Sequence, residues 1–236
     1  MAVGVLVALA VGGSGWADEA SAVKTIKARG GTVPGANVVN LEKSKITDQD
    51  LKLLLEFKEV GFLRLTDTAI TDAGMATIGQ LTKLRVLELA GTKITNTGLQ
   101  QVAGLTDLEQ LDLNRTRVSD AGIPGLKGLK KLRHLRLAGT TVTNAVMKDV
   151  HDLANLELLG LERTRVTDAG LKDLRGLNKL ESLMLDGTSV SDAGLRLLKD
   201  TNDFARVRYV QVIDTKVTAA GREELRKARK IEVSPR

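Results

Sequence analysis

Apolar and polar residues alternate in short runs such as Leu87-Glu88-Leu89, and the same run returns along most of the chain. Period-2 alternation buries one face of a short strand. The second apolar residue of each run gives Leu41, Leu65, Leu89, Leu113, Leu137, Leu161 and Leu185, each 24 residues after the last, with an eighth copy at Val212 after a step of 27. The longer step predicts a three-residue insertion within Asp200 to Arg208 that bulges out of the array. Three residues beyond each of these positions stands a hydroxyl side chain: Ser44, Thr68, Thr92, Thr116, Thr140, Thr164, Thr188 and Thr215. The apolar spacing then changes to 3 and 4 in Thr-Asp-Ala-Gly-Leu-x-x-Leu segments, clearest at Thr71 to Met75, Thr167 to Leu174 and Ser191 to Leu198. That spacing predicts a helix, started by a Thr or Ser that accepts from a free amide of the first turn and by an Asp that complements the helix dipole.

One strand and one helix in 24 residues cannot bury their own apolar side, so the copies must stack, strands in a parallel sheet and helices as an outer wall. The expected fold class is an α/β solenoid of about eight repeats. The pattern L-x-x-L-x-L-x-x-T-x-V-T-D-A-G-L-x-x-L, running from Val38 to Val233, resembles the leucine-rich-repeat superfamily. Its T-D-A-G-L form is similar to repeats in exported proteins of planctomycete-type bacteria, and more distantly to ribonuclease-inhibitor and F-box-associated repeats. The resemblance implies a right-handed α/β horseshoe with the sheet on the concave face, and a protein-binding role; fold alone implies nothing narrower. Where such repeats usually carry Asn or Cys this chain carries Thr, whose hydroxyl is expected to bond to the backbone of the neighbouring turn.

The ends need caps, because a solenoid exposes its first and last apolar faces. Glu19 to Ala28 places Ala20, Val23 and Ile26 at helical spacing before Arg29-Gly30-Gly31 stops the helix. At the other end the basic helix Arg222 to Lys230 leads into Ile231-Glu232-Val233, and Pro235 lacks the amide a further strand would use. The resulting division is 1–17 as a secretory signal, 18–37 as a capping helix and turn, and 38–236 as the repeat domain with its C-terminal cap.

The signal reading rests on an uncharged segment, Met1 to Ala17, apolar from Ala2 to Val11 and ending in Gly15-Trp16-Ala17, although it lacks the usual Lys or Arg near its start. An apolar run this short does not span a bilayer, which takes about 20 residues. The chain has no cysteine, which excludes disulfides, thiolate metal sites and cysteine nucleophiles. Aromatic residues make up 2% of the chain, so the core must be aliphatic.

A residue present in nearly every copy is a scaffold part, so Asp48, Asp72, Asp120, Asp168 and Asp192, with Asn96 and Asn144 in equivalent places, are not read as ligands or catalytic acids. The periodic glycines Gly74, Gly98, Gly122, Gly170, Gly194 and Gly221 do not form a phosphate loop either. Partner information should lie in the strand side chains that vary and point out of the core. One column runs Asn40, Arg64, Glu88, Asp112, Arg136, Gly160, Met184 and Gln211; the one before it runs Val38, Phe62, Val86, Gln110, His134, Leu158, Ser182 and Tyr209. With strands about 4.8 Å apart, Arg64, Glu88, Asp112 and Arg136 form a row of charge about 14 Å long. This row is the candidate site, with Gln110, His134, Asn114 and Arg115 beside it and Phe62 and Tyr209 as aromatic anchors near the ends.

Glu88 and Asp112 as a glycosidase pair is disfavoured, since sheet spacing sets any adjacent acids at that separation and arginines flank both. Calcium between them needs about six oxygen ligands, and His134 has no Ser or Cys nucleophile in a recognisable arrangement. The expectation is therefore no enzyme, no cofactor and no metal. The net charge of +6 raises nucleic acid as a partner. Yet the concave columns carry five cations (Lys43, Arg64, Arg115, Arg136, Arg163) and seven anions (Glu42, Asp67, Glu88, Asp112, Glu162, Asp186, Asp214). The surplus sits instead around Lys127, Lys130, Lys131 and Arg133 and in Arg222, Arg226, Lys227, Arg229 and Lys230, read as solvated helix faces without the aromatics that stack bases. The expected role is an exported binding module for a protein partner, with no nucleic acid and no transmembrane segment. The alternative is an envelope-associated protein adhering weakly to anionic surface polymer through its basic outside.

Overall fold

The structure is a computed structural model that describes residues 15–35, 37–199 and 204–234. Residues 1–14 of the expected signal, residues 200–203 of the insertion and Pro235 lie outside the described residues. Ten strands form one sheet in strict chain order. They are β1 (Thr32–Gly35), β2 (Val38–Asn40), β3 (Phe62–Arg64), β4 (Val86–Glu88), β5 (Gln110–Asp112), β6 (His134–Arg136), β7 (Leu158–Gly160), β8 (Ser182–Met184), β9 (Tyr209–Gln211) and β10 (Glu232–Val233). β1 folds back antiparallel on β2, and every later pairing is parallel. Each of β2 to β9 has three residues, and the middle one, from Val39 through Leu135 to Val210, is at most 1% exposed. Its two neighbours therefore face out on the concave side, as the period-2 pattern requires.

Before the first strand, α1 (Gly15–Ala28) packs on β1 and on the first convex turn. Its buried residues are Ala22 and Ile26, one helical turn apart, with Val23 at the margin and Ala20 exposed, which corrects the face expected from sequence. Gly30, at φ 91°, ends the helix in a conformation that favours glycine. The convex wall also differs from expectation. Among the described residues of this wall only α2 (Asp72–Ile78), α3 (Asn96–Leu99), α4 (Met147–Val150), α5 (Asp168–Leu171), α6 (Asp192–Leu197) and α7 (Ala219–Arg229) are α-helical. The segments Asp50–Glu56, Gln100–Gly104, Asp120–Leu126, Asn144–Val146 and Lys172–Leu174 are 3-10 turns. A 24-residue period leaves each copy only one or two helical turns, and Pro124 removes a further amide from one of them.

The Asp of each Thr-Asp pair bonds between repeats instead of only complementing its own helix. Asp72 accepts from the Thr95 backbone N–H at 2.7 Å and from its hydroxyl at 2.6 Å. Asp48, Asp120, Asp168 and Asp192 do the same to Thr71, Thr143, Ser191 and Thr218. In these five copies the hydroxyl, having donated to the carboxylate, also accepts from an amide of its own helical turn. Asn96 and Asn144 instead donate Nδ2 into the hydroxyls of Ser119 and Thr167. Those two hydroxyls make no cap bond. Asn96→Asp and Asn144→Asp should each restore a cap, raising stability by about 0.5–1 kcal/mol, read as a higher urea midpoint at unchanged slope. Unchanged midpoints would contradict the ladder.

The carboxylate also explains the glycine two residues after the Asp. A Cβ on Gly98 would lie 2.3 Å from Asp72 Oδ1, and one on Gly194 2.4 Å from Asp168 Oδ1. The first repeat has no predecessor, and there Asp50 stands in the glycine slot and accepts from Thr47 N–H at 2.9 Å. Val146 fills the slot in one repeat, where the turn begins as 3-10.

The threonine ladder likewise departs from expectation: from Thr68 to Thr215 each hydroxyl donates within its own repeat, as Thr68 does to the Leu65 carbonyl at 2.7 Å, closing the turn after the strand, while the Ser44 hydroxyl is buried without a partner. In every copy the residue just before that Thr or Ser is left-handed, at Lys43, Asp67, Gly91, Arg115, Gly139, Arg163, Gly187 and Asp214. From Lys43 to Gly187 its N–H donates to the next repeat, as from Asp67 to the Ala90 carbonyl at 2.8 Å.

Candidate functional site

Strand register places the expected columns side by side. Arg64 pairs with Glu88, Glu88 with Asp112, Asp112 with Arg136, and Arg136 with Gly160. In the adjacent column Phe62, Val86, Gln110, His134, Leu158, Ser182 and Tyr209 follow in order, so Phe62 and Tyr209 share one column six strands apart. Val38, Phe62 and Val86 make an apolar patch at one end; Leu158, Tyr209 and the neighbouring Met184 make another. The charged row lies between them.

Within the row, neutralisation is incomplete. Arg64 Nε lies 3.3 Å from Glu88 Oε1. Asp112 accepts from the Asn114 backbone N–H at 2.9 Å. The Arg136 side chain, half-buried, makes no hydrogen bond with the described residues and has no carboxylate within 4 Å among them. Burial raises the Glu88 carboxyl above its ordinary value, with Arg64 opposing and Asp112 adding. Burial likewise raises Asp112, against the Asn114 amide and Arg136. His134 is lowered by burial and then by Arg136, with Glu157 opposing.

Two of the expected site residues serve the scaffold as well. Asn114 Oδ1 accepts from the Ala138 N–H at 2.7 Å, fixing the next repeat. Arg115 crosses Gly91 to reach Asp67, two repeats back, at 3.0 Å. A Cβ on Gly91 would sit 2.1 Å from Asp67 Oδ1, so glycine keeps that path open. Sequence reasoning passed over Glu162 as a site residue. Its Oε2 is buried without a hydrogen-bond partner, and it lies 2.9 Å from where a Gly160 Cβ would stand. The available signal was the single glycine in the charged column.

Residues 80–103 match the leucine-rich-repeat family. The chain superposes on internalin C2 of Listeria monocytogenes with a TM-score of 0.68 at 24% identity, covering 92% of either chain. It superposes on a second Listeria monocytogenes internalin, inlF, with a TM-score of 0.65 at 20% identity, covering 81% of this chain and 52% of that one. The chain thus spans about half the length of the latter protein. No functionally curated protein matches it in sequence. The fold is a leucine-rich-repeat solenoid. Solenoids of this kind generally mediate protein–protein interaction and are typically not enzymes.

The basic residues read as solvated faces are mostly exposed, as expected, with Arg222 buried and Arg229 half-buried as the exceptions, and part of this charge meets carboxylates. On the flank beside the strand entries, Arg85 meets Glu109 at 2.7 Å, Lys131 meets Asp107 at 2.6 Å and Arg133 meets Glu157 at 2.8 Å. Lys127 bridges Asp149 and Asp152 at 3.1 and 3.3 Å, and Lys130 donates to the Asp152 carbonyl at 3.5 Å. In α7, Arg222 is 8% exposed and donates to the Val217 carbonyl, Arg226 to that of Val233, and Arg229 to those of Leu198 and Phe204. These arginines tie α7 to the carbonyls of Val217, Val233, Leu198 and Phe204 around it. Among the described residues no group of three or more His, Asp or Glu could hold a metal ion, and no helix is long and apolar enough to cross a membrane.

Proposed function

We propose that this solenoid is a non-enzymatic module that recognises a protein partner on its concave sheet face. The observation that carries this is the contrast between two surfaces of one molecule. On the flank Arg85, Lys127, Lys131 and Arg133 have carboxylates at 2.6 to 3.3 Å. On the concave face Lys43, Arg64 and Arg115 also meet carboxylates, at 3.0 to 3.3 Å, but the Arg136 side chain has none within 4 Å among the described residues and Glu162 Oε2 has no donor. Half-buried charge left open by a rigid backbone is costly in the free protein, and a partner of complementary charge removes that cost on docking. The parallel sheet holds these groups at fixed spacing, so little entropy is lost when they are engaged. Phe62 and Tyr209 offer aromatic anchors on either side of the row.

The uncharged apolar N-terminal segment, the absence of cysteine and the likeness of the T-D-A-G-L repeats to those of exported planctomycete-type proteins support export from a bacterial cell. Adhesion to anionic polymer through a basic outside has less support, because Lys127, Lys131 and Arg133 already meet carboxylates.

The test is capture from envelope and supernatant extracts at about 0.15 M salt, where diffuse attraction is screened within about 8 Å. The native protein should retain a partner that the folded variant Arg64→Ala, Asp112→Ala, Arg136→Ala loses by about a hundredfold or more. Equal retention by both would remove the row from the binding surface.

A further inference from the structure

The concave row has a gap at Gly160, between Arg136 and Met184. Beside it, where the chain leaves the strands, is a cavity of about 350 Å³ lined by Asn114, Arg115, Glu162, Arg163, Asp186 and Asp214, with Gly139 and Gly187 among them. Glu162 joins the two, because its Oε2 lies 2.9 Å from the place a Gly160 Cβ would take. The glycines let arginine stems form the walls: a Cβ on Gly187 would lie 3.0 Å from Arg163 Cγ, and one on Gly139 3.4 Å from Arg115 Cγ. The volume falls at the lower end of the roughly 300–1,000 Å³ usual for ligand pockets, enough for one long side chain.

The lining is acidic in balance. Arg115 is engaged by Asp67, outside the cavity, which leaves Arg163 against Glu162, Asp186 and Asp214. Asp186 accepts from the Ile213 N–H at 2.6 Å and from Gln211 Nε2. Glu162 is half-buried, and its Oε2 meets no donor from another described residue. A buried acceptor without a partner is uncommon enough to need a cause, and a donor brought by a ligand is one. Burial raises the Glu162 carboxyl above its ordinary value, against a hydrogen bond from its own backbone N–H, with the charges of Asp186 and Asp112 adding and Arg136 opposing. A second anion would be repelled here, and the carboxylates do not converge into a metal site.

We propose that this cavity is a subsite for a cationic side chain, lysine or arginine, carried by the protein that docks on the concave face. The inference rests on the binding role proposed above. The ligand's ammonium or guanidinium supplies several N–H donors on a stem long enough to enter beside Gly160, and Glu162 turns its free oxygen to accept one of them.

The probe is a set of capped tripeptides, Gly-Arg-Gly, Gly-Lys-Gly, Gly-norleucine-Gly and Gly-Glu-Gly, titrated into the isotope-labelled full chain and followed by amide NMR. The two cationic peptides should shift the resonances of Gly139, Gly160, Glu162 and Gly187 saturably in the millimolar range, while the norleucine and Glu peptides leave them in place. Glu162→Gln, a near-isostere that keeps the fold, should weaken the response about tenfold, the worth of one charge-assisted hydrogen bond. Glu42→Gln, in the same column five repeats away, should change nothing. The subsite is overturned if the cationic peptides give no saturable shift, if norleucine reproduces it, or if Glu162→Gln responds as the parent does. Such a result leaves the wider reading standing wherever the row variant still loses its partner in the capture experiment.

Discussion

Asp72→Ala should lower stability by about 2–3 kcal/mol, whereas Asp72→Asn should cost less than about 1 kcal/mol. The carboxylate holds both the backbone N–H and the hydroxyl of Thr95 across a repeat boundary. Alanine leaves two part-buried donors without acceptors in the space beside Gly98, and removing one partner of a buried pair costs more than the pair contributes. Asparagine keeps the backbone bond and turns the hydroxyl's role around, as Asn96 and Asn144 already do at their own boundaries. Only the cap of the next turn is lost. Urea unfolding followed by circular dichroism separates the two, and equal destabilisation by Ala and Asn would show that the inter-repeat bond is not what the position supplies.

Leu135→Ala should be costlier still, at about 3–4 kcal/mol. Leu135 is fully buried at the centre of the sheet, in register with Leu111 and Leu159, and the rigid strands on either side cannot collapse into the space it leaves. Coupling in a solenoid runs only between neighbours, so a lesion here weakens two interfaces at once and divides the array. The unfolding transition should broaden or split. Val39→Ala, beside the N-terminal cap, should cost about half as much and fray one end. A single sharp transition displaced by less than about 1 kcal/mol in Leu135→Ala would contradict nearest-neighbour stacking on this ladder.

The strands and their faces were legible in the sequence because period 2 is a strong constraint: Leu63 buried means Phe62 and Arg64 on the outer face, and the 24-residue step carries that assignment from copy to copy. The connecting geometry was not. Five left-handed positions hold Lys43, Asp67, Arg115, Arg163 and Asp214, and only Gly91, Gly139 and Gly187 advertise the conformation. The interchange of Asp with Asn ahead of Ser or Thr was the visible trace of the inter-repeat ladder, since a helix dipole alone would favour the charged residue throughout. Arg222 of α7 read as solvent-facing because sequence does not show that its side chain folds back onto the Val217 carbonyl. For the candidate site, the columns were readable and the pairing within them was not. Arg64 and Arg136 hold equivalent places, yet only the first finds a carboxylate, Glu88, at 3.3 Å. Glu162 stood in the charge count without distinction until the gap at Gly160 placed its oxygen beside the row.

The central claim is that charge left open on the concave face is there for a partner, while charge closed on the flank is there for the fold. The direct measurement is partner capture by two folded variants side by side, the row variant Arg64→Ala, Asp112→Ala, Arg136→Ala and a flank variant Arg85→Ala, Lys131→Ala, Arg133→Ala. The flank variant should retain the partner at native strength and the row variant should lose it. Loss by the flank variant with retention by the row variant would contradict the account.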